Sequence, residues 1–334
     1  MSLQLSIGVP SYNVESYLEH DLATYADPRL EGLVEVIVVN DGSTDATHQI
    51  AQGFVDRMPG VFRLIDKPNG GHGSAVNAAM AAARGRYFRV IDADDWATTD
   101  ALVEFARRLE GTQADLVCDV KREVNMVTGA ETLFPLPNGL PLGRPVPMEE
   151  ACARPDFEHL VMIHTLSIRR DLLDRIGMHL LEKTFYVDFQ YVVEATLAAE
   201  DVEFVDLNVY NYLVGNANQS VADQSYVRRW QDHTRVTMYM CDLYRARAAE
   251  LSPARRAYLR QRVRLICNTH YNIALIFDHD RARGARRAYD FRARLKAEYP
   301  DIFRATERRY WASRALHLAG IDSQERLDAL THRA

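Results

Sequence analysis

Val34-Glu35-Val36-Ile37-Val38-Val39-Asn40-Asp41-Gly42-Ser43-Thr44-Asp45 is the stretch on which the fold turns. Its first half is a run of β-branched residues broken only by Glu35, too short for a buried helix and suited to a strand covered on both faces. Its second half is turn chemistry. Ser43 or Thr44 is expected to cap a helix running to about residue 58, with Asp45 in the first turn, where a carboxylate complements the helix dipole.

The same alternation extends in both directions. Residues 3–9 read as a strand and 16–25 as a helix. Downstream, a strand at 62–65 ends in Lys67-Pro68-Asn69-Gly70-Gly71, an Ala-rich helix covers 74–83, and a strand at 87–91 ends on Asp92. A helix capped by Thr98 or Thr99 then runs to 109, and a strand covers 115–124. Strands separated by helices of this length make βαβ units, so the expected class is α/β: a Rossmann-like, mostly parallel sheet flanked by helices. Residues 128–150 read as loop, 163–168 as strand, 170–176 and 189–199 as helices, 202–212 as strand and 215–220 as a polar loop. Beyond 226 the pattern is helical, near 226–250, 253–278, 281–298 and 308–318.

The chain has 334 residues, 47% hydrophobic and 26% charged, enough to bury a core without cross-links. No apolar run approaches the roughly 18–20 residues of a membrane span. The opening MSLQLSIGVP lacks a basic segment followed by an apolar one, so no secretory leader is expected. Cys118, Cys152, Cys241 and Cys267 are widely spaced and form no CxxC pair, which favours free buried thiols in a reducing compartment over disulfides or zinc. The net charge of -6 averages two unlike parts. Residues 225–334 hold 23 Lys and Arg against 12 Asp and Glu, whereas 1–224 hold 17 against 34. This split places a domain boundary near 224, with an acidic domain at 1–224 and an Arg-rich helical one at 225–334.

In parallel α/β sheets, ligands bind outside the carboxyl ends of the strands. Four polar clusters fall there. In Asp92-Ala93-Asp94-Asp95, carboxylates at i and i+2 of an extended segment point to one side. Two such charges repel unless a hard divalent cation, Mn²⁺ or Mg²⁺, lies between them. Asp95 serves equally well as a helix cap. Asp41 closes the second strand, where its carboxylate could accept from a nucleobase N–H, although a plain turn would use the same residues. Asn69-Gly70-Gly71-His72-Gly73 precedes a helix, and glycines there let a phosphate approach the backbone, while His72 reads equally well as a surface loop residue. The fourth cluster is Pro10-Ser11-Tyr12-Asn13.

Together these clusters resemble the family 2 glycosyltransferases of the GT-A fold. That family carries a P-x-Y-N-like strand end, a D-G-S-x-D turn, an N-x-G-x-x-x-A-x-N segment and a D-x-D, here in order over about residues 4–110. Phe185-Tyr186-Val187-Asp188 and the Y-x-Y followed by G-x-x-x-Q-S extend the likeness, with Val187 where many members have Glu. The resemblance implies an inverting, metal-dependent transferase moving a sugar from a nucleotide donor, UDP-linked, to an acceptor hydroxyl in cell-surface polysaccharide or glycan synthesis. It implies a donor site of Pro10, Tyr12, Asn13, Asp41, Asn69, Gly71, His72 and Asp92, a cation on Asp94 and Asp92, Asp188 as catalytic base, and Gln219 on a lid over the phosphates. His164 and Asp119 stand as lesser candidates on the acceptor side, His164 also reading as a core histidine. A pyrophosphorylase would need an Arg- and Lys-containing Gly-rich loop after the first strand, which Pro10-Ser11-Tyr12-Asn13 is not. A non-catalytic carbohydrate- or partner-binding protein would have little use for the intact acidic set.

The tail interleaves arginine clusters with aromatics such as Trp230, Tyr258, Tyr271, Phe291 and Trp311. It fits a patch meeting an anionic membrane surface beside a saccharide or lipid-linked saccharide acceptor. A solvated arginine face over an aromatic helix core explains it more simply. No nucleic-acid motif accompanies the charge, and none is expected as partner. The implied location is cytoplasmic, with peripheral contact at the inner membrane face.

Overall fold

The computed structural model describes residues 3–215, 222–323, 325 and 326. Gln219 and most of its loop lie outside the described residues. The chain forms two compact units, divided after residue 216.

The first unit is built on a sheet whose opening strands are β1 (Leu5–Ser11), β2 (Val34–Asn40), β3 (Phe62–Asp66) and β4 (Tyr87–Val90). They lie in the order β3-β2-β1-β4, all parallel. The register aligns Ser11 with Asn40 and Asn40 with Asp66, so the polar loops leave from one edge. The connecting helices are α1 (Glu15–Ala23), α2 (Thr47–Arg57) and α3 (His72–Ala82). Every residue of β2 is buried, as its β-branched run requires. Leu5, Ile7, Val36, Val38, Leu18, Leu22, Phe54 and Phe62 form one continuous core with it, at about 1.5–3 kcal/mol per large side chain buried.

The helix α2 begins later than its capping residues suggested. Ser43 Oγ accepts from Asn13 N, and Thr44 N donates to Asn13 Oδ1. Both are therefore spent on joining the β1 and β2 loops. Asp45 does the capping, with Oδ1 accepting from Thr47 N and Oδ2 from Glu15 N at the start of α1.

Beyond β4 follow β5 (Trp96–Ala97), α4 (Thr99–Arg108), β6 (Leu116–Asn125), β7 (Glu131–Phe134), β8 (Pro145–Pro147), α5 (Met148–Cys152), α6 (Phe157–Leu160), β9 (Leu166–Arg169), α7 (Arg170–Ile176), α8 (Asp188–Ala198) and β10 (Asp201–Val214). The sheet continues β4-β9-β6-β10-β5, with β7 on β6 and β8 on β10. The expected parallel order holds for β3-β2-β1-β4 and again between β6 and β10. Between them β9 runs antiparallel to both neighbours. It arrives from short helical turns rather than a full crossover helix, so nothing obliges it to run parallel. The segment 128–150, expected as loop, contains β7 and β8. All four residues of β7 are exposed, and β8 lies between prolines, so neither shows the alternation that marks a strand.

The second unit is helical: α9 (Asp223–Arg228), α10 (Trp230–Arg247), α11 (Pro253–Asn272) continued by a π turn at Ile273–Phe277, α12 (Arg281–Glu298) and α13 (Pro300–Leu318). The last helix starts at Pro300, which needs no amide partner in a first turn, rather than near 308. Tyr258, Tyr271, Phe277, Phe291, Tyr299 and Tyr310 are buried, while Tyr289 and Trp311 are exposed. Many arginines are paired, Arg283 and Arg287 with Asp278 and Arg292 with Glu307. This matches the aromatic core with an arginine surface. Among the described residues no helix is long and apolar enough to cross a membrane. The four cysteines are buried thiols outside any disulfide.

Candidate active site at the carboxyl ends of the strands

Asp41, just past the end of β2, is buried and fully engaged. Oδ1 accepts from Lys67 Nζ (2.6 Å) and Gly70 N (2.9 Å), and Oδ2 from Gly71 N (2.7 Å) and Gly70 N (3.1 Å). Its carboxylate thus shapes the glycine turn ahead of α3, and a nucleobase would have to share it. Gly42 is obligatory beside it, since its φ is +75° and a Cβ would sit 2.9 Å from Asn69 N. Pro10 is half-buried, Tyr12 is 51% exposed, and Asn69 is exposed. Asn13, at φ 52°, is committed to the Ser43 and Thr44 contacts.

The glycine turn also holds the chain that leads to Asp188. Lys183 N donates to Gly70 O at 2.6 Å, Asn77 pairs through both amide atoms with Leu180 backbone, and Gln190 pairs with Leu181 N and His179 O. A Cβ on Gly73 would collide with Leu181 O, so this segment can approach α3 only over a glycine. Residues 179–184 are pinned between α3 and α8, and two non-glycine residues on the way to α8, Lys183 and Tyr186, are held at positive φ (48° and 68°). Such strain persists only where surrounding contacts enforce it. Asp188 follows as the first residue of α8.

His72, at the start of α3, places Nε2 2.9 Å from Asp92 Oδ1. Burial alone would favour neutral imidazole, but Asp92, Asp188 and Asp94 outweigh it and raise its pKa. Those three carboxylates thus share one electrostatic neighbourhood although they come from two distant parts of the chain. Burial pushes Asp92 up, yet the His72 bond and the His72 and His164 charges hold it below the usual range. Asp94 rises to about 6 through burial and the Asp92 charge beside it. That crowding of carboxylates is the kind of repulsion a hard divalent cation relieves.

Asp95 neither caps α4 nor faces outward. Tyr210 Oη donates to its Oδ2 and Leu213 N to its Oδ1 (2.7 Å), which ties β10 to the acidic segment. Burial and the Asp94 and Asp92 charges raise its pKa well above the ordinary value. His164 meets the Tyr210 ring edge-on and the Tyr212 ring at a tilt, at centroid separations of 5.0 and 4.7 Å. Burial lowers its pKa to about 4, and its Nδ1 is buried with no hydrogen-bond partner among the described residues. Ligand atoms of Asp92, Asp95 and His164 lie within 4.8 Å of one another, so the same cluster offers a nitrogen as well. Asp119 lies deeper. It pairs bidentately with the fully buried Arg89 (3.1 and 3.1 Å), whose guanidinium also donates to His164 O at 2.7 Å. Burial, against the pull of Arg89, raises Asp119 to about 6. Sequence reasoning missed Asp21 and Tyr25, both fully buried, with Asp21 within electrostatic reach of Asp94 and Asp92.

A parallel four-strand start, a mixed continuation and an acidic cluster at the strand ends define a GT-A-type glycosyltransferase fold. Residues 6–177, just over half the chain, match glycosyl transferase family 2, and the chain belongs to that family. Among its relatives is the uncharacterized glycosyltransferase EpsJ of Bacillus subtilis, 29% identical over 212 residues, 62% of this chain and 60% of EpsJ. The chondroitin synthase of Pasteurella multocida is 38% identical over 98 residues, 29% of this chain and 10% of that protein. The chain therefore spans less than two thirds of these relatives. The structure of Staphylococcus aureus TarS 1–349 in complex with UDP-GlcNAc superposes with a TM-score of 0.63 at 18% identity, covering 96% of this chain and 93% of that one. The mannosyltransferase PcManGT of Pyrobaculum calidifontis, in complex with GDP-Man and Mn²⁺, gives 0.52 at 18% identity over 95% and 88%. At this identity the structural likeness concerns the fold.

Proposed function

We propose that the chain transfers a sugar from a UDP-linked donor to a hydroxyl of a saccharide or lipid-linked saccharide acceptor, with inversion, in cell-surface polysaccharide or glycan synthesis. The observation that carries this is the convergence of Asp92, Asp94 and Asp188 around His72 at the strand ends. The family match supports it, as do relatives named chondroitin and hyaluronan synthases and a structural neighbour holding UDP-GlcNAc. Asp92 and Asp94 would hold a divalent cation, which when bound offsets the diphosphate charge; a neighbour's Mn²⁺ complex supports a metal of that kind. The bond that forms joins the acceptor oxygen to the anomeric carbon. The bond that breaks leaves its electron pair on the nucleoside diphosphate. Asp188 takes the acceptor's proton, a contribution of about 10²–10⁴-fold. Pro10, Tyr12, Asn13, Asp41, Asn69, Gly71 and His72 would border the nucleotide, and Gln219 would reach its phosphates.

Calorimetric titration with UDP, GDP and dTDP, each with and without Mn²⁺, tests the reading. UDP should bind in a Mn²⁺-dependent manner and Asp94→Ala should abolish that dependence. Absence of binding by all three nucleotides overturns it. Flotation with anionic vesicles checks the membrane contact proposed for the arginine-rich unit.

A further inference from the structure

The outer face of the helical unit sets exposed aromatic rings among positive charges. Helices α12 and α13 run antiparallel, and two contacts fix their register. Arg292 pairs bidentately with Glu307 at 2.7 Å, and Arg281 donates to His317 O. Tyr289 lies one turn before Arg292 and Trp311 one turn after Glu307, so the two rings stand level on neighbouring helices. Packing uses the inner face, through Ala288, Phe291 and Leu295 of α12 and Ile302, Thr306 and Tyr310 of α13. Tyr289 and Trp311 point the other way and are 64% and 58% exposed, and Leu318, two turns beyond Trp311, is 71% exposed. Residues three, four or seven positions from either ring share its side of the helix. They are Arg286, Arg292, Lys296, Arg304, Arg308 and Arg314, four alanines, Leu318 and one acid, Glu307, which Arg292 already neutralises. Arg304 also pairs with Asp301 at the start of α13.

We infer that this face of α12 and α13 docks on an anionic lipid bilayer, with the Tyr289 and Trp311 rings at headgroup depth and the surrounding arginines on lipid phosphates, an assignment that rests on the membrane contact proposed above. Trp and Tyr favour the membrane–water boundary because each ring system has an apolar body and a polar tip. Arginine lays its stem along apolar surface and carries its charge out to phosphate. Leu318 extends the apolar line along α13. Charge complementarity selects the occupant: residues 225–334 hold 23 Lys and Arg against 12 Asp and Glu, so a negative surface attracts the whole unit. Aromatic anchors of protein interfaces cluster in a closely packed centre, whereas these rings stand among alanines and cations. Single-stranded nucleic acid is held in a groove that tracks its backbone, and this face is the outward ridge of two helices.

The test uses the full chain with vesicles of phosphatidylcholine alone or mixed equally with phosphatidylglycerol, followed by flotation and tryptophan emission. The wild type should float with the mixed vesicles, shift its emission to the blue and be quenched by brominated lipid. Trp311→Phe should still float but lose most of the shift and the quenching. Tyr289→Ser with Trp311→Ser should weaken partition about tenfold, and Arg286→Gln or Arg308→Gln about fivefold each, at low salt. All these side chains are exposed, and a thermal melt with an unchanged midpoint checks that each variant folds. A wild type that stays with neither vesicle overturns the membrane contact and this face together, leaving nucleotide binding as a separate question. Flotation with no emission shift, or unweakened by the Tyr289 and Trp311 double variant, overturns this face alone. So does a single-stranded oligonucleotide that binds this face and excludes the vesicles, or a wild-type dimer that Trp311→Ser dissolves in sedimentation.

Discussion

Asp41→Asn separates a structural role from a ligand role at the same atom. The Asp41 carboxylate is buried and receives Lys67 Nζ and the amides of Gly70 and Gly71. An amide side chain keeps one acceptor oxygen and turns the other into a donor. Either Gly71 N or the Lys67 and Gly70 pair then faces an NH₂ group at contact distance. Loss of one or two charge-assisted bonds, at about 1.5–3 kcal/mol each, predicts destabilisation of about 1.5–6 kcal/mol in the absence of any nucleotide. Urea unfolding of both proteins, followed by circular dichroism without ligand or metal, reads it as a lower midpoint at unchanged slope. The glycine turn also holds Lys183, so UDP affinity should fall as well. A variant as stable as the wild type, within about 0.5 kcal/mol, would refute the bracket role and leave Asp41 as a nucleoside contact only.

Two further outcomes follow from buried charge. Arg89→Met strands Asp119 in the core and should cost about 3–5 kcal/mol, while adding Asp119→Leu should recover most of it, as measured by a double-mutant unfolding cycle. In the cation-free chain Asp94 titrates near 6, above its ordinary value of 3.8, so protons compete with metal below that point. Apparent Mn²⁺ affinity should therefore fall up to tenfold per unit as pH drops below about 6 and level off above 7. By the same sign, this raised carboxyl makes the cation-free fold relatively more stable as pH falls from 6 towards 4. Equal Mn²⁺ affinity at pH 5 and 7.5 would contradict it.

Much of this architecture was legible because local and tertiary signals agree. The β-branched run at Val34–Asn40 could only be a covered strand, and the polar clusters at the strand ends announced the ligand edge. The misreadings have physical causes. Ser43 and Thr44 are good caps in isolation, but Asn13, thirty residues earlier in the chain, claims both. His72 carries no sign in the sequence of its partner Asp92, because the contact exists only when β4 lies beside β1. Asp95 looks like a helix cap until β10 delivers Tyr210 and Leu213 from more than a hundred residues away. The exposed strand β7 shows no alternation because neither of its faces is buried.

The most direct test of the central claim is single-turnover consumption of UDP-sugars by the wild type and Asp188→Asn, with Mn²⁺ present. The account predicts a product of inverted anomeric configuration from the wild type and a rate about 10²–10⁴-fold lower in the variant, with UDP affinity retained within about twofold. Turnover by Asp188→Asn at the wild-type rate would contradict it.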